Sequence, residues 1–515
     1  MHSPILSPEA VRLGDAAWGH RASDHVGHAF ERAAGAPLSE HNDVRLLIDA
    51  CGNYPAWLEA IADAKRYILF ESYIVADDDL GHAFIAALAA KAKDGVRVCV
   101  AYDWLGSTKF ARAWAPLRAA GAEVRAFNPP SFSSPLAWLT RDHRKSIVVD
   151  GVRGFVSGLC VSAKWEGNAK KRLEPWRDTG IEVRGEAVAD MEAAFMQVWA
   201  ACDGGPLVLD QSPVAPVGDM RVRVIAGVPG SAGTYRTDLL VASLARQYLW
   251  LTDAYFVGTA AYTQALCAAA RDGVDVRLLV PGASDIPAIS PLSRAGYRAL
   301  LEAGVRVFEW DGTMLHAKTA VADHRWSRVG STNLNLVSWI SNYELDVAVE
   351  NERFATVMAE QYQRDLERAT EIVLTQRHRV RRTDDGEGVE APRRAMSGSA
   401  GRAAAGAVSV GSALGAALTN RRTLGPAEAG LLTSVAVIMI VVAVVATWFP
   451  RIVAWPLAFL CAWAGLSWAW KAIALRRKPA ATTRPDGAPA SARKEEKQEG
   501  GESKREAAIM DDLRP

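Results

Sequence analysis

Two stretches of the chain share one pattern: HRKSIVVD at residues 143–150 and HAKTAVAD at residues 316–323. In each stretch a lysine stands two positions after a histidine, and an aspartate stands seven positions after the same histidine. β-Branched and apolar residues fill the positions between, which predicts a strand. Because side chains alternate between the faces of a strand, the histidine and the lysine share a face. An imidazole beside an ammonium group is unsuited to a hydrophobic core and suited to binding an anion.

The sequence around these two stretches is also repeated. In each half of the repeat, a predicted strand is followed by an amphipathic helix and then by a second strand. This alternation predicts α/β units on a parallel or mixed sheet, in two tandem copies with pseudo-twofold symmetry. The repeated segments are 68–75, 80–95 and 96–103 in the first half and 249–257, 260–273 and 274–282 in the second.

The paired stretches predict the catalytic groups. One match to the pattern is weak, whereas two matches at equivalent points of a repeat are specific. Lys318 is the only lysine between Arg172 and Trp470, although arginine is frequent there, which indicates that a compact ammonium group is required. The predicted catalytic residues are His143, Lys145, Asp150, His316, Lys318 and Asp323.

Residues downstream of the two stretches are predicted to support them. Ser331 and Asn333 follow the second stretch and can donate hydrogen bonds to a phosphoryl oxygen; Cys160 stands where Asn333 has its counterpart. Asp178 and Glu344 occupy matching positions, each directly before a predicted strand. A carboxylate in that place can fix the tautomer of a catalytic histidine.

These motifs resemble the signature of the phospholipase D superfamily. The stretch 41–75, DWLGS at 103–107, WRDT at 176–179 and AYFV at 254–257 are similar to bacterial cardiolipin synthases of that superfamily. The resemblance covers about Asn42 to Leu366. It implies tandem α/β/α domains whose two motifs form one active site, with no metal and no other cofactor.

The resemblance also implies a reaction. One histidine attacks the phosphodiester phosphorus to give a phosphohistidine, and the other is the acid and then the base. The resemblance implies that His143 is the nucleophile, while the residues themselves leave the choice open. The implied substrates are phospholipids, with phosphatidylglycerol as acceptor and cardiolipin as product. Asn335 and Val337 depart from the family pattern, which often has Asp and Arg there.

Composition excludes several classes of protein. The 515 residues carry 59 Lys+Arg and 58 Asp+Glu, a formal net charge of +1, which argues against a nucleic-acid-binding protein. The six cysteines are scattered, with no CxxC pair, so neither a disulfide framework nor a zinc site is predicted.

Two uncharged segments follow the repeat. Residues 431–449 and 452–470 are each 19 long, close to the ~20 that cross a bilayer. They predict a transmembrane helical hairpin, and basic residues on both flanks place the catalytic domains on the cytoplasmic side of the inner membrane. The predicted organisation is an extension (1–41), domain 1 (42–205), domain 2 (220–376), an Arg/Ala/Gly-rich linker (377–430), the hairpin (431–470) and a disordered cytoplasmic tail (471–515).

Three alternatives remain open from the residues. Water could be the acceptor, which would make the protein a phospholipase D-type hydrolase. Another alcohol could replace phosphatidylglycerol in a transphosphatidylase. A nucleic-acid phosphodiesterase is disfavoured by the neutral charge and the apolar hairpin.

Overall fold

The structure is a computed structural model, and it describes the chain from residue 25 to residue 382 with short gaps. The described ranges are 25–110, 112–131, 139–168, 173–209, 216–286, 289–374 and 380–382, with scattered helical residues between 440 and 470. Most of the predicted extension, linker and hairpin and all of the predicted tail lie outside these residues.

The first half alternates strands and helices as the repeat predicts. Its elements are β1 (Ser39–Ile48), α1 (Asp49–Asp63), β2 (Tyr67–Ser72), α2 (Asp79–Lys93), β3 (Arg97–Asp103), α3 (Ala115–Ala119), β4 (Glu123–Phe127), β5 (Lys145–Val149), β6 (Arg153–Ser157), α4 (Ala163–Glu166), β7 (Thr179–Arg184) and α5 (Ala187–Ala201).

The second half repeats this order and adds two strands. Its elements are β8 (Met220–Gly227), α6 (Gly233–Leu244), β9 (Tyr248–Thr252), α7 (Ala260–Arg271), β10 (Asp275–Pro281), α8 (Ile289–Glu302), β11 (Arg306–Trp310), β12 (Thr319–Ala322), β13 (Trp326–Gly330), α9 (Leu336–Ile340), β14 (Glu344–Glu350), α10 (Glu352–Leu366), β15 (Ala369–Leu374) and β16 (Val380–Arg382).

All described strands form one mixed sheet, in which the strand order of the first half is repeated in reverse in the second. The order is β16-β15-β11-β10-β9-β12-β13-β14-β8-β1-β7-β6-β5-β2-β3-β4. β2, β3 and β4 are parallel to one another, as are β9, β10 and β11, and the other neighbours in each half are antiparallel. β1 and β8 pair antiparallel at the junction. The predicted α/β repeat with pseudo-twofold symmetry corresponds to this arrangement.

Helices cover both faces of the sheet, so the central strands are apolar on both sides. Every residue of β2 is buried, for example. One core contains Phe195 and Trp199 of α5 together with Phe354 and Tyr362 of α10. Since side chains from both halves share this core, the halves pack as one body.

Two predicted boundaries need correction. β1 begins at Ser39, within the predicted extension, because its first residues pair with β8. β16 lies within the predicted linker, since Val380–Arg382 pairs with β15. Among the described residues, we find no helix with both the length and the apolar character to cross a membrane.

Candidate active site

Both histidine–lysine pairs lie at the carboxyl ends of parallel strands. Lys145 opens β5 and stands opposite Ser72, the last residue of β2. In the second half, Thr319 opens β12 opposite Thr252, the last residue of β9. The side chains just before β5 and β12 therefore emerge where α/β sheets usually bind their ligands.

Backbone bridges join the two halves beside each histidine. The N–H of His143 donates to the carbonyl of Tyr343 at 2.9 Å, and the N–H of His316 donates to the carbonyl of Arg177 at 2.7 Å. Tyr343 and Arg177 each directly precede a predicted supporting carboxylate. Each bridge therefore brings the carboxylate of one half to the histidine of the other.

The two histidine–carboxylate pairs cross between the halves. Nδ1 of His143 lies 2.9 Å from Oε2 of Glu344, and Nδ1 of His316 lies 2.8 Å from Oδ2 of Asp178. A carboxylate accepts, so each Nδ1 carries the proton and each Nε2 has a free lone pair. Among the described residues, neither Nε2 has a hydrogen-bond partner. Both rings thus present Nε2 as a nucleophile or base.

Burial sets the charge of these pairs. Burial and the neighbouring Lys318 ammonium lower the pKa of His316 to about 4, against the opposing effect of Asp178. Burial also lowers the pKa of His143, with Glu344 acting in the opposite direction. At neutral pH both imidazoles are therefore neutral.

The carboxylates respond in the opposite way. Burial acts to raise the pKa of Asp178, but His316, Lys318 and the hydrogen bond from Trp165 together outweigh it and hold the pKa below the usual value. The pKa of Glu344 is likewise lowered: burial acts to raise it, but His143, Lys145 and Ser331 together outweigh that effect. Both carboxylates are therefore charged at neutral pH.

The two lysines supply positive charge beside the imidazoles. Lys145 donates to the carbonyl of His143, and Lys318 donates to the carbonyl of His316. Nζ of Lys318 also lies 2.9 Å from Nδ1 of His316; this is a close approach without a hydrogen bond, because Nδ1 donates its proton to Asp178. Burial lowers the pKa of Lys318 to about 8. These ammonium groups can neutralise a phosphoryl group at Nε2.

Asp150 and Asp323 lie away from the histidines, and this corrects their predicted catalytic role. Asp150 accepts the backbone N–H groups of Lys65, Arg66 and Tyr67 at 2.7–2.8 Å. Asp323 accepts the three equivalent N–H groups at 2.8–2.9 Å. The seven-residue spacing along a strand puts each aspartate roughly 20 Å from its histidine. Both aspartates fasten the β5–β6 and β12–β13 turns to the start of β2 and β9.

The predicted phosphate donors have other partners. The Ser331 hydroxyl donates to Oε2 of Glu344 at 2.6 Å, so it holds the carboxylate instead of the predicted phosphoryl oxygen. Nδ2 of Asn333 lies 3.4 Å from Oγ of Ser338, and its buried Oδ1 has no partner among the described residues. Cys160 is buried, and burial raises the pKa of its thiol.

Aromatic rings around the histidines were missed by the sequence reasoning. The ring centroid of Tyr73 lies 5.0 Å from that of His143. The centroids of Trp165, Trp176 and Tyr255 lie 5.2–5.8 Å from that of His316. The two tyrosines could have been found, because they occupy matching places in ESYIV and DAYFV.

Comparisons with known proteins agree with this site. A family model described as "Cardiolipin synthase, PLD-like domain" matches residues 241–366. Cardiolipin synthase of Alkalihalophilus pseudofirmus is 34% identical over 65% of this chain and 68% of its own length. Cardiolipin synthase A of Pseudomonas fluorescens SBW25 is 33% identical over 69% and 74%. The chain belongs to the cardiolipin synthase family of the phospholipase D superfamily.

The enzyme is therefore a phosphatidyltransferase of that superfamily. Its fold is similar to the crystal structure of phosphatidylserine synthase from Haemophilus influenzae Rd KW20, with a TM-score of 0.53 and 14% identity. The match covers 67% of this chain and 91% of that one. Within the described part of this chain, no cluster of His, Cys, Asp or Glu side chains could hold a metal ion.

Proposed function

We propose that the enzyme transfers a phosphatidyl group to the glycerol headgroup of phosphatidylglycerol and forms cardiolipin. The crossed histidine–carboxylate pairs carry this proposal. They supply two neutral imidazoles with free Nε2 atoms beside two lysines, which is what a two-step phosphoryl transfer requires.

In the first step, Nε2 of His143 attacks the phosphorus of the donor lipid. The bond from phosphorus to the headgroup oxygen breaks, and His316 gives its Nε2 proton to that oxygen. With phosphatidylglycerol as donor, glycerol leaves. His316 acquires its proton when the phosphodiester binds, because the anion raises the pKa of a neighbouring imidazole.

The assignment of His143 as nucleophile has support in the difference in exposure. Its side chain is 12% exposed, against 6% for His316. The nucleophile must carry a phosphatidyl group through the reaction, so it needs the greater room.

In the second step, neutral His316 removes the proton from a hydroxyl of the acceptor headgroup. The oxygen attacks phosphorus, the bond from phosphorus to Nε2 of His143 breaks, and both histidines return to their starting state. Lys145 and Lys318 neutralise the non-bridging oxygens in both steps.

Purified enzyme incubated with headgroup-labelled phosphatidylglycerol in detergent tests the reaction. We expect cardiolipin and free labelled glycerol in equal amounts. Phosphatidic acid without cardiolipin would establish hydrolysis instead. Cardiolipin formed only after a second phospholipid is added would establish another donor. A phosphatidyl ester of a different added alcohol, without cardiolipin, would establish another acceptor.

We propose further that the hairpin at 431–470 anchors the enzyme in the inner membrane. The described residues between 440 and 470 are helical. Trp448, Trp455 and Phe459 among them are 70–77% exposed, and exposed apolar and indole side chains suit a helix in lipid. Anchoring would hold the site at the surface where its lipid substrates are concentrated.

Membrane fractionation tests the anchor. Wild-type enzyme should remain with membranes after carbonate extraction. Val444→Arg with Leu460→Arg should release it, because each central charge costs about 2.5–3.5 kcal/mol in a membrane helix. Protease added outside intact spheroplasts should leave the catalytic domains uncut, and their digestion would contradict the cytoplasmic placement.

A further inference from the structure

Trp165 in α4 lies against the carboxylate that pairs with His316. Its indole N–H donates to Oδ2 of Asp178 at 2.7 Å, and the same oxygen accepts from Nδ1 of His316 at 2.8 Å. The other oxygen accepts the backbone N–H of Thr179 at 2.8 Å. The indole stands edge-on to His316 and is 2% exposed. One side chain therefore both bonds the carboxylate and covers the imidazole.

The other half makes the corresponding bond with a serine. Ser331 donates to the oxygen of Glu344 that binds the first-half histidine. The first-half match of Ser331 is Gly158, where a Cβ would lie 2.2 Å from Oδ1 of Asp178. The side chain of Asp178, which is shorter than that of Glu344, thus lies directly against the backbone at Gly158. No side chain at position 158 would fit beside it. The second donor must come from another direction, and Trp165 provides it.

We propose that Trp165 is a positioning residue for His316 and acts through Asp178, as Ser331 acts on Glu344. A neutral donor on the shared oxygen fixes the orientation of the carboxylate and reduces its hold on the Nδ1 proton. The Nε2 atom of His316 then stays free in the resting enzyme, and in each cycle it readily gives the proton it has taken up to the leaving oxygen. The inference rests on the proposed acid–base role of His316.

Trp165→Phe tests the proposal, because it removes the N–H and retains a ring. We expect kcat to fall about 10- to 100-fold, the effect of one lost hydrogen bond to a charged group, with KM unchanged. Without the indole bond Asp178 attracts the imidazolium more strongly. The acidic limb of kcat, which reflects the neutral His316 needed in the second step, should therefore move to higher pH.

Trp114→Phe is the matched control. Trp114 is also fully buried, and its indole N–H has no hydrogen-bond partner among the described residues. The same change of volume there should leave kcat and the pH profile as in the wild type. The proposal fails if Trp165→Phe keeps wild-type kcat, or if kcat falls while the acidic limb stays in place.

A failure of the proposed mechanism would look different. Full activity in His316→Ala would remove His316 from the reaction, whatever Trp165→Phe does. If His316→Ala is inactive but Trp165→Phe behaves like Trp114→Phe, the proposed role of Trp165 is wrong and the proposed mechanism stands.

Discussion

The two catalytic histidines occupy equivalent places in the repeat, yet their surroundings differ. Among the described residues, His143 has one aromatic neighbour, Tyr73, and a glutamate held by a serine. His316 has three aromatic neighbours and an aspartate held by an indole. In this symmetric fold, the imidazole of His143 is thus the more open of the two and that of His316 the more enclosed. The difference suits a reaction in which one histidine carries the lipid and the other moves protons.

The largest effect should come from removing either imidazole. His143→Ala and His316→Ala should each lower phosphatidyl transfer by at least about 10³-fold, because each removes a group needed in both steps. Thin-layer analysis of labelled cardiolipin measures the loss. Full activity in either variant would rule out a shared site.

A trapped phospholipid adduct then distinguishes the two histidines. Rapid acid quenching followed by peptide mass spectrometry should place the adduct on His143. An adduct on His316 would reverse the assignment and give the enclosed imidazole the covalent role.

Neutralising the crossed carboxylates should have the next largest effect. Asp178→Asn and Glu344→Gln should each lower kcat by about 10²–10⁴-fold with little change in KM, since the wrong tautomer is then favoured. Steady-state kinetics on detergent-solubilised lipid checks this. A wild-type kcat in either variant would show that the cross-half pairing is dispensable.

The alkaline pH profile should reflect Lys318. With a pKa of about 8, the ammonium loses its proton as pH rises through that value, and kcat/KM should decline there. Lys318→Arg should have lower activity but no decline near pH 8, because guanidinium stays charged. If kcat/KM of that variant declines with the same midpoint, the decline belongs to another group.

The smallest effect on catalysis should come from the two motif aspartates. Asp150→Asn and Asp323→Asn should each reduce the free energy of unfolding by about 1–3 kcal/mol, because three backbone N–H groups lose their charged acceptor. Urea denaturation measures this, and the activity of the folded fraction should stay near wild type. A large loss of kcat without loss of stability would return these aspartates to the catalytic group.

The repeat and the two histidine–lysine pairs could be predicted from the sequence because both are local. A period of two places His143 and Lys145 on one face, and matched motifs reveal the duplication. The role of Asp150 could also have been predicted: Asp150-Gly151 lies between two short strands, and such a dipeptide marks a turn. Asp150 adopts the left-handed conformation that this turn requires.

The crossing of the carboxylates could not be predicted in the same way. Alignment of the halves shows that Asp178 matches Glu344, but it contains no information on which histidine each one reaches. That choice depends on the backbone bridges at Tyr343 and Arg177, which form only after the halves pack. The bond from Trp165 depends on the same packing, since Asp178 is turned toward a histidine of the other half.

The crossed pairs also tie completion of the site to the order in which the chain is made. Residues 42–205 leave the ribosome before residues 220–376, so His143 is made long before Glu344 exists. A first half that folds early has an imidazole with no carboxylate to fix its tautomer. Both histidine–carboxylate pairs therefore exist only after the chain has been made as far as Glu344 and the two halves have packed together.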